Sequence, residues 1–182
     1  MEIGPMIRRL YWDMAGQSAI VYPNFTPVNW WECDIFRVTS AGYFYEYEIK
    51  RTVADFRADR QKREYNWEER TYRSKHMALT QRDTRGPSRF FYVVPAELTV
   101  RVEEELPEWS GLIECAPVHG RVDLVTIRVV RKALCLHRVK ISRARVRQAE
   151  RSAVARYWDL YFRSFVRSSD LVNDIDVRDG EL

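Results

Sequence analysis

Cysteine is scarce in this chain, and what there is cannot build a scaffold. Cys33, Cys115 and Cys135 are odd in number, widely spaced and without a CxxC pair, which argues against a disulfide framework and a cysteine zinc site. Cys33 and Cys115 sit in apolar strand-like runs, where a free thiol behaves as a small buried hydrophobe, so a reducing cytosol is expected. No run approaches the ~18–20 consecutive apolar residues that a membrane helix needs, and the first four residues start no basic-then-apolar leader. A cytoplasmic protein without a membrane partner is therefore expected. Seven glycines and seven prolines in 182 residues exclude collagen-like repeats and long disorder. GxGxxG and Walker loops are missing, so nucleotide cofactors have no support, and His119 and His137 lack any HxxxH or HExxH context.

What remains is a chain that is 46% apolar and carries a net charge of +4, long enough to bury roughly 70% of its unfolded surface in a single core. Residues 5–15 place Met6, Leu10 and Met14 on one helical face, with Pro5 at the start and Gly16 after the end. Asn24, Pro27 and Asn29 mark a loop. Residues 30–38 and 43–51 are aromatic and β-branched runs around Thr-Ser-Ala-Gly, a β-hairpin. Thr52, three residues ahead of Asp55, caps a helix expected over residues 53–69. Residues 64–85 are polar and aperiodic and read as irregular helix and loop. Strands are expected at 89–94 and 111–115 and within 118–130. A long helix follows from 142, where Val146, Ala149, Ala153, Tyr157, Leu160 and Ser164 recur at a period near 3.6. The order predicts an α/β fold, a mixed sheet with a central hairpin flanked by helices, in one domain over 1–169 with its core at about 30–160. Residues 170–182 carry five acids and read as a fraying tail.

The hairpin carries the chemistry. With Gly42 in the left-handed position of a three-residue loop, Phe36 pairs with Glu46, Asp34 with Glu48 and Glu32 with Lys50. One face then holds Glu32, Asp34, Glu46, Glu48 and Lys50; the other holds Trp31, Cys33, Ile35, Tyr45, Tyr47 and Ile49 and faces the core. Opposed carboxylates with Cβ atoms ~5 Å apart repel, and a hard divalent cation such as Mg²⁺ or Mn²⁺ would neutralise Asp34 and Glu48. Lys50, on the same face, would hold or polarise attacking water. The plain alternative is an exposed face on which Glu32 and Lys50 form an ordinary ion pair.

Asp34, thirteen residues, then Glu48-Ile49-Lys50 resembles the PD-(D/E)XK signature of restriction-endonuclease-like nucleases. Residues 48–62 (EIKRTVADFRADRQK), 89–95 (RFFYVVP), 106–114 (LPEWSGLIE) and 131–134 (RKAL) are similar to the MmcB-like DNA-repair nucleases of bacteria and phages. The resemblance implies a restriction-endonuclease-like fold. It implies that Asp34 and Glu48 hold the metal, that the Ile49 carbonyl adds a ligand, and that Lys50 assists the nucleophile. Cys33 stands where the motif nominally has proline. Members often carry an acid on the first helix, for which Asp13 is the nearest candidate.

Asp55 is accounted for by capping, and Asp59 with Arg63 reads as a solvated helix pair, although Asp55 and Asp59 share a face and fall within the resemblance. Glu32 and Glu46 are rim candidates for tuning the site or taking a second metal. Lys75 and His76 are candidates for meeting phosphate, and Trp30 and Tyr43 for stacking on bases, with packing the simpler role for the aromatics. Between Leu124 and Ala149 no acid occurs, while Arg128, Arg131, Lys132, Arg138, Lys140, Arg143, Arg145 and Arg147 supply eight positive charges. Such a tract suits phosphate contacts. The expectation is thus a Mg²⁺- or Mn²⁺-dependent deoxyribonuclease for DNA repair or processing, in a bacterial cell or phage-infected host, hydrolysing phosphodiesters by metal-activated water. A catalytically inactive nucleic-acid-binding module of the same fold is the alternative. DNA versus RNA, monomer versus homodimer and protein partners stay open.

Overall fold

In the computed structural model, which describes residues 2–66 and 70–176, the hairpin turn sets the register of the sheet. Gly42 adopts φ +84°, the left-handed geometry that a side chain would strain, and its N–H donates to the Thr39 carbonyl (2.8 Å). Strands β2 (Cys33–Thr39) and β3 (Phe44–Ile49) consequently pair with Phe36 opposite Glu46 and Ile35 opposite Tyr47, as the turn chemistry predicts. The hairpin lies inside a six-stranded sheet with β1 (Ser18–Phe25), β6 (Arg89–Pro95), β7 (Gly111–Val118) and β8 (Arg121–Arg131), in the order β1-β2-β3-β6-β7-β8. The β3–β6 and β6–β7 pairs are parallel and the others antiparallel, so the fold is a mixed-sheet α/β fold flanked by helices.

Helix α1 (Ile3–Ala15) buries Met6, Leu10 and Met14 against Ile35, Tyr47, Ile49, Val93, Ile113 and Cys115 on one face of the sheet. The opposite face is covered as well. There Phe56 of α2 (Val53–Asp59) meets the Tyr92 ring edge-on, centroids 4.9 Å apart, and Trp109 packs against Phe90 at 5.4 Å. α3 (Lys75–Thr80) and α4 (Thr99–Glu105) complete the helices of this unit. Glu46, Glu48 and Lys50 therefore lie in the interior, almost wholly shielded from water, and not on an exposed hairpin face.

Three local readings change. Strand β1 occupies residues read partly as loop; Pro23 lowers the strand signal, yet β1 is an edge strand, where a missing N–H is tolerated. Helix α2 stops at Asp59 and does not continue to 69. Its exit tightens through i→i−3 bonds at Arg60, Gln61 and Lys62 while the Asp59 carboxylate is drawn into the interior. The polar stretch beyond it contains a two-stranded antiparallel sheet, β4 (Arg63–Asn66) with β5 (Thr71–Ser74). It then forms α3, capped by the Ser74 hydroxyl accepting the Met77 N–H.

The chain divides into two compact units, residues 1–142 and 143–182. The second is the long helix α5 (Arg143–Asp176), in keeping with the period seen in the sequence. Of the acidic segment 170–182, residues up to Asp176 are helical, and 177–182 lie outside the described residues. No helix among the described residues is long and apolar enough to cross a membrane. All three cysteines are free, with Cys33 and Cys115 buried.

Candidate active site

Strand alternation turns Glu46 and Glu48 to the same side of β3, and the parallel partner β6 places Tyr92 beside Glu48. Into this face come side chains from α2, α3 and the connecting segments. Lys50 Nζ bridges Glu48 Oε2 and Asp59 Oδ1, each at 2.9 Å. Lys62 Nζ reaches the same two oxygens at 3.0 Å. Lys75, from the first turn of α3, is fully buried between Glu46 Oε1 and Glu48 Oε1, 2.5 Å from each. Asp59 Oδ2 accepts the Tyr92 hydroxyl (2.8 Å) and lies 3.3 Å from His76 Nε2, which is 2.8 Å from that same hydroxyl. Trp30, buried and packed over Gly86, donates its indole N–H to Glu46 Oε2 (2.7 Å).

Asp34 stands apart. The regular β2–β3 pairing ends at Ile35 and Tyr47, and one step further the Asp34 carboxylate accepts the Ile49 N–H across the strands (2.7 Å). Among the described residues it forms no ion pair. Burial and the neighbouring Glu48 charge push its carboxyl above the usual carboxylate range.

The environments of the two glutamates split their acidities. Burial pushes both up, but three ammonium groups surround Glu48 and hold it at about 2. Glu46 shares only Lys75, and burial with the Glu48 charge lifts it to about 7. For Asp59, the His76 hydrogen bond and the lysines outweigh burial and lower it. Lys50 is raised, because Glu48 and Asp59 together exceed its desolvation, so it is a fixed positive charge and not a base near neutral pH. Four carboxylates (Asp34, Glu46, Glu48, Asp59) face three ammoniums, which leaves one negative charge to be balanced by a proton or a cation.

A stability consequence follows for Glu46. Its folded acidity lies above the unfolded value of 4.5, so the folded state holds the extra proton between pH 4.5 and about 7, and stability falls as pH rises through that window. Urea unfolding at pH 5 and pH 8 is expected to show wild-type protein losing about 1–3 kcal/mol over that interval relative to Glu46→Gln. Parallel pH profiles for the two proteins would contradict the assignment. Glu48 and Asp59 remain ionised throughout this range and do not contribute.

The sequence candidates divide accordingly. Glu46, Glu48, Lys50, Asp59 and His76 come together, and Asp34 lies at their edge on the Ile49 N–H. Asp59 was expected to pair with Arg63 at the surface; it pairs instead with Lys50 and Lys62 because α2 ends there. Lys50 likewise pairs with Glu48 and Asp59 and not with Glu32, which is exposed ahead of β2. Asp13 pairs with Arg9 on α1 (3.0 Å), whose buried side covers the other face of the sheet. Asp55 is exposed; its N–H donates to the Thr52 hydroxyl that caps α2, and its carboxylate accepts the Arg51 N–H. Lys75, read as a surface phosphate contact, and Lys62 are the members that sequence reasoning missed.

The members of the basic tract that fall in the first unit do not gather beside these carboxylates. Arg128 pairs with Glu114 (3.0 Å), and Arg131 donates to the Ser110 and Pro107 carbonyls. Lys132 and Arg138 are exposed. Lys140 lies along Gly42 at the hairpin turn, about 20 Å of strand from Glu48. Arg143, Arg145 and Arg147 belong to the separate helix α5.

For a hard cation the donor chemistry is suitable: Asp34 and Glu48 offer carboxylate oxygens, and Mg²⁺ usually takes only one or two of these, the rest being water or phosphate. Among the described residues no group of three or more His, Cys, Asp or Glu is placed to hold a metal ion together. Glu48 would have to release one lysine, and Lys62, 40% exposed against 4% for Lys50 and none for Lys75, is the one able to withdraw.

No family model matches the chain, and no curated protein matches it. Among solved structures it is similar in fold to SPO1766, a protein of unknown function from Silicibacter pomeroyi, with a TM-score of 0.56 and 20% identity over 88% of this chain and 92% of that one.

Proposed function

We propose that the protein is a Mg²⁺- or Mn²⁺-dependent deoxyribonuclease of the PD-(D/E)XK type, cytoplasmic in a bacterial cell or phage-infected host and working in DNA repair or processing. One observation carries this reading: Asp34 reaches the Ile49 N–H near Glu48 without forming an ion pair among the described residues, a costly arrangement for structure alone and a useful one for a cation site. Asp34 and Glu48 would hold the metal, with the Ile49 carbonyl as the further ligand that the family resemblance implies. Bound there, the metal would supply Lewis-acid stabilisation of charge on the scissile phosphate and would lower the pKa of water. Lys50, held by Glu48 and Asp59, presents a fixed positive charge that orients water and offsets charge on the phosphate. Asp59 fixes that ammonium in place, and the basic tract from Arg128 to Arg147 would engage backbone phosphates.

The second reading is a nucleic-acid-binding module without turnover. It is favoured by Lys50, Lys62 and Lys75, which already engage both Glu48 oxygens. Labelled single-stranded, duplex and branched DNA incubated with Mg²⁺, Mn²⁺ or EDTA decides between the two. Metal-dependent cleavage that falls at least about 100-fold in Glu48→Ala and Lys50→Ala is the expected result, several kcal/mol of transition-state stabilisation being at stake. Cleavage that survives both substitutions would overturn the site; binding without cleavage in any metal would establish the second reading.

A further inference from the structure

A groove of about 480 Å³ opens between the β4–β5 pair and α3, lined by Arg63, Tyr72, Arg73, Met77, Asp83 and Arg85 among others. The chain ties it to the candidate site at two points. β4 begins directly after Lys62 and β5 ends directly before Lys75, and both lysines bind Glu48. The groove is positively charged, since one carboxylate, Asp83, holds both Arg73 (2.9 Å) and Arg85 (2.8 Å), and Arg63 adds a third guanidinium. Arg73 is further braced over the Trp31 ring, 4.9 Å from its centroid. Two large apolar surfaces, Tyr72 at 67% and Met77 at 60% exposure, face solvent in the same place.

Guanidiniums next to an exposed aromatic ring match a strand whose phosphates and unpaired bases are both accessible. Bases inside a duplex are stacked on one another and offer no free face to Tyr72. We infer that this groove seats an unpaired nucleic-acid strand, Tyr72 stacking on a base and Arg63 contacting phosphate, and that it guides the strand to Asp34 and Glu48. The inference rests on the nuclease reading and names its substrate class.

The test is fluorescence anisotropy in EDTA with a labelled oligothymidylate, its RNA counterpart and a duplex of equal length, using the full chain. Wild-type protein is expected to bind the single strand more tightly than the duplex, the DNA and RNA arms reporting which sugar is preferred. Tyr72→Ala should weaken single-strand binding at least about fivefold, while Tyr72→Phe keeps it and duplex binding is unmoved. Arg63→Ala should reduce the slope of log K against log salt by about 0.7, one phosphate contact on a single strand. If wild type binds and these variants bind with equal affinity and slope, the groove assignment falls and the nuclease reading stands. If wild type cleaves only duplex DNA, the substrate class is wrong; if it binds none of the three, the nuclease reading itself fails.

Discussion

Replacing Lys75 by methionine should cost the protein about 3 kcal/mol of unfolding free energy, toward the low end of what breaking a buried ion pair from one side costs. The Lys75 side chain is wholly shielded, its ammonium lies between Glu46 and Glu48, and it faces the Phe90 ring at 5.3 Å. Methionine fills the volume but leaves Glu46 without a counter-ion, and desolvation of an unpaired carboxylate dominates. Glu48 keeps Lys50 and Lys62, and Glu46 can take up a proton, which is why the loss is not larger. Adding Glu46→Gln to Lys75→Met should recover about 1–2 kcal/mol, the non-additivity expected of directly touching groups. Urea denaturation of the two single variants and the double variant measures this. A Lys75→Met loss below about 1 kcal/mol, or strict additivity, would show that the lysine is not the neutraliser of this cluster.

Asp34→Asn is expected to do the reverse: little to stability and much to activity. Asparagine retains an oxygen to accept the Ile49 N–H, and no lysine loses a partner. Because burial and Glu48 raise the Asp34 carboxyl, its ionised form is a net cost to the fold at neutral pH, and the neutral amide removes that cost. Stability should therefore be unchanged or up to about 1 kcal/mol higher, while metal-dependent cleavage drops at least about 100-fold. A gain in stability with a loss of function is the mark of a strained functional group. An Asp34→Asn protein as active as wild type, or destabilised by several kcal/mol, would make the residue structural.

The hairpin was legible because its determinants are local. Gly42 fixes the turn, the turn fixes the register as far as Ile35 and Tyr47, and one step further Asp34 accepts the Ile49 N–H. The physical ground for expecting a cation there was incomplete, however. Glu48 is neutralised first by Lys50, Lys62 and Lys75, and only Asp34 and the proton-sharing Glu46 are left short of positive charge. Lys62 and Lys75 escaped because they flank a segment without periodicity, where a lysine reads as solvated. The one available signal was Ser74 ahead of Met77-Ala78-Leu79, a cap and an apolar run that start α3 and turn Lys75 inward. Asp59 was misread for a related reason: propensity favoured continuing α2, and tertiary ion pairing ended it.

The most direct measurement is a Mn²⁺ titration of the wild-type protein followed by calorimetry, with Mg²⁺ as competitor and Asp34→Asn and Glu48→Gln alongside. One saturable site that Mg²⁺ displaces, and that both substitutions abolish, is the result expected of two carboxylates joined through a shared ion. Mn²⁺ uptake that is absent, or that persists unchanged when Asp34 is neutralised, would mean that the lysines alone satisfy this end of the hairpin.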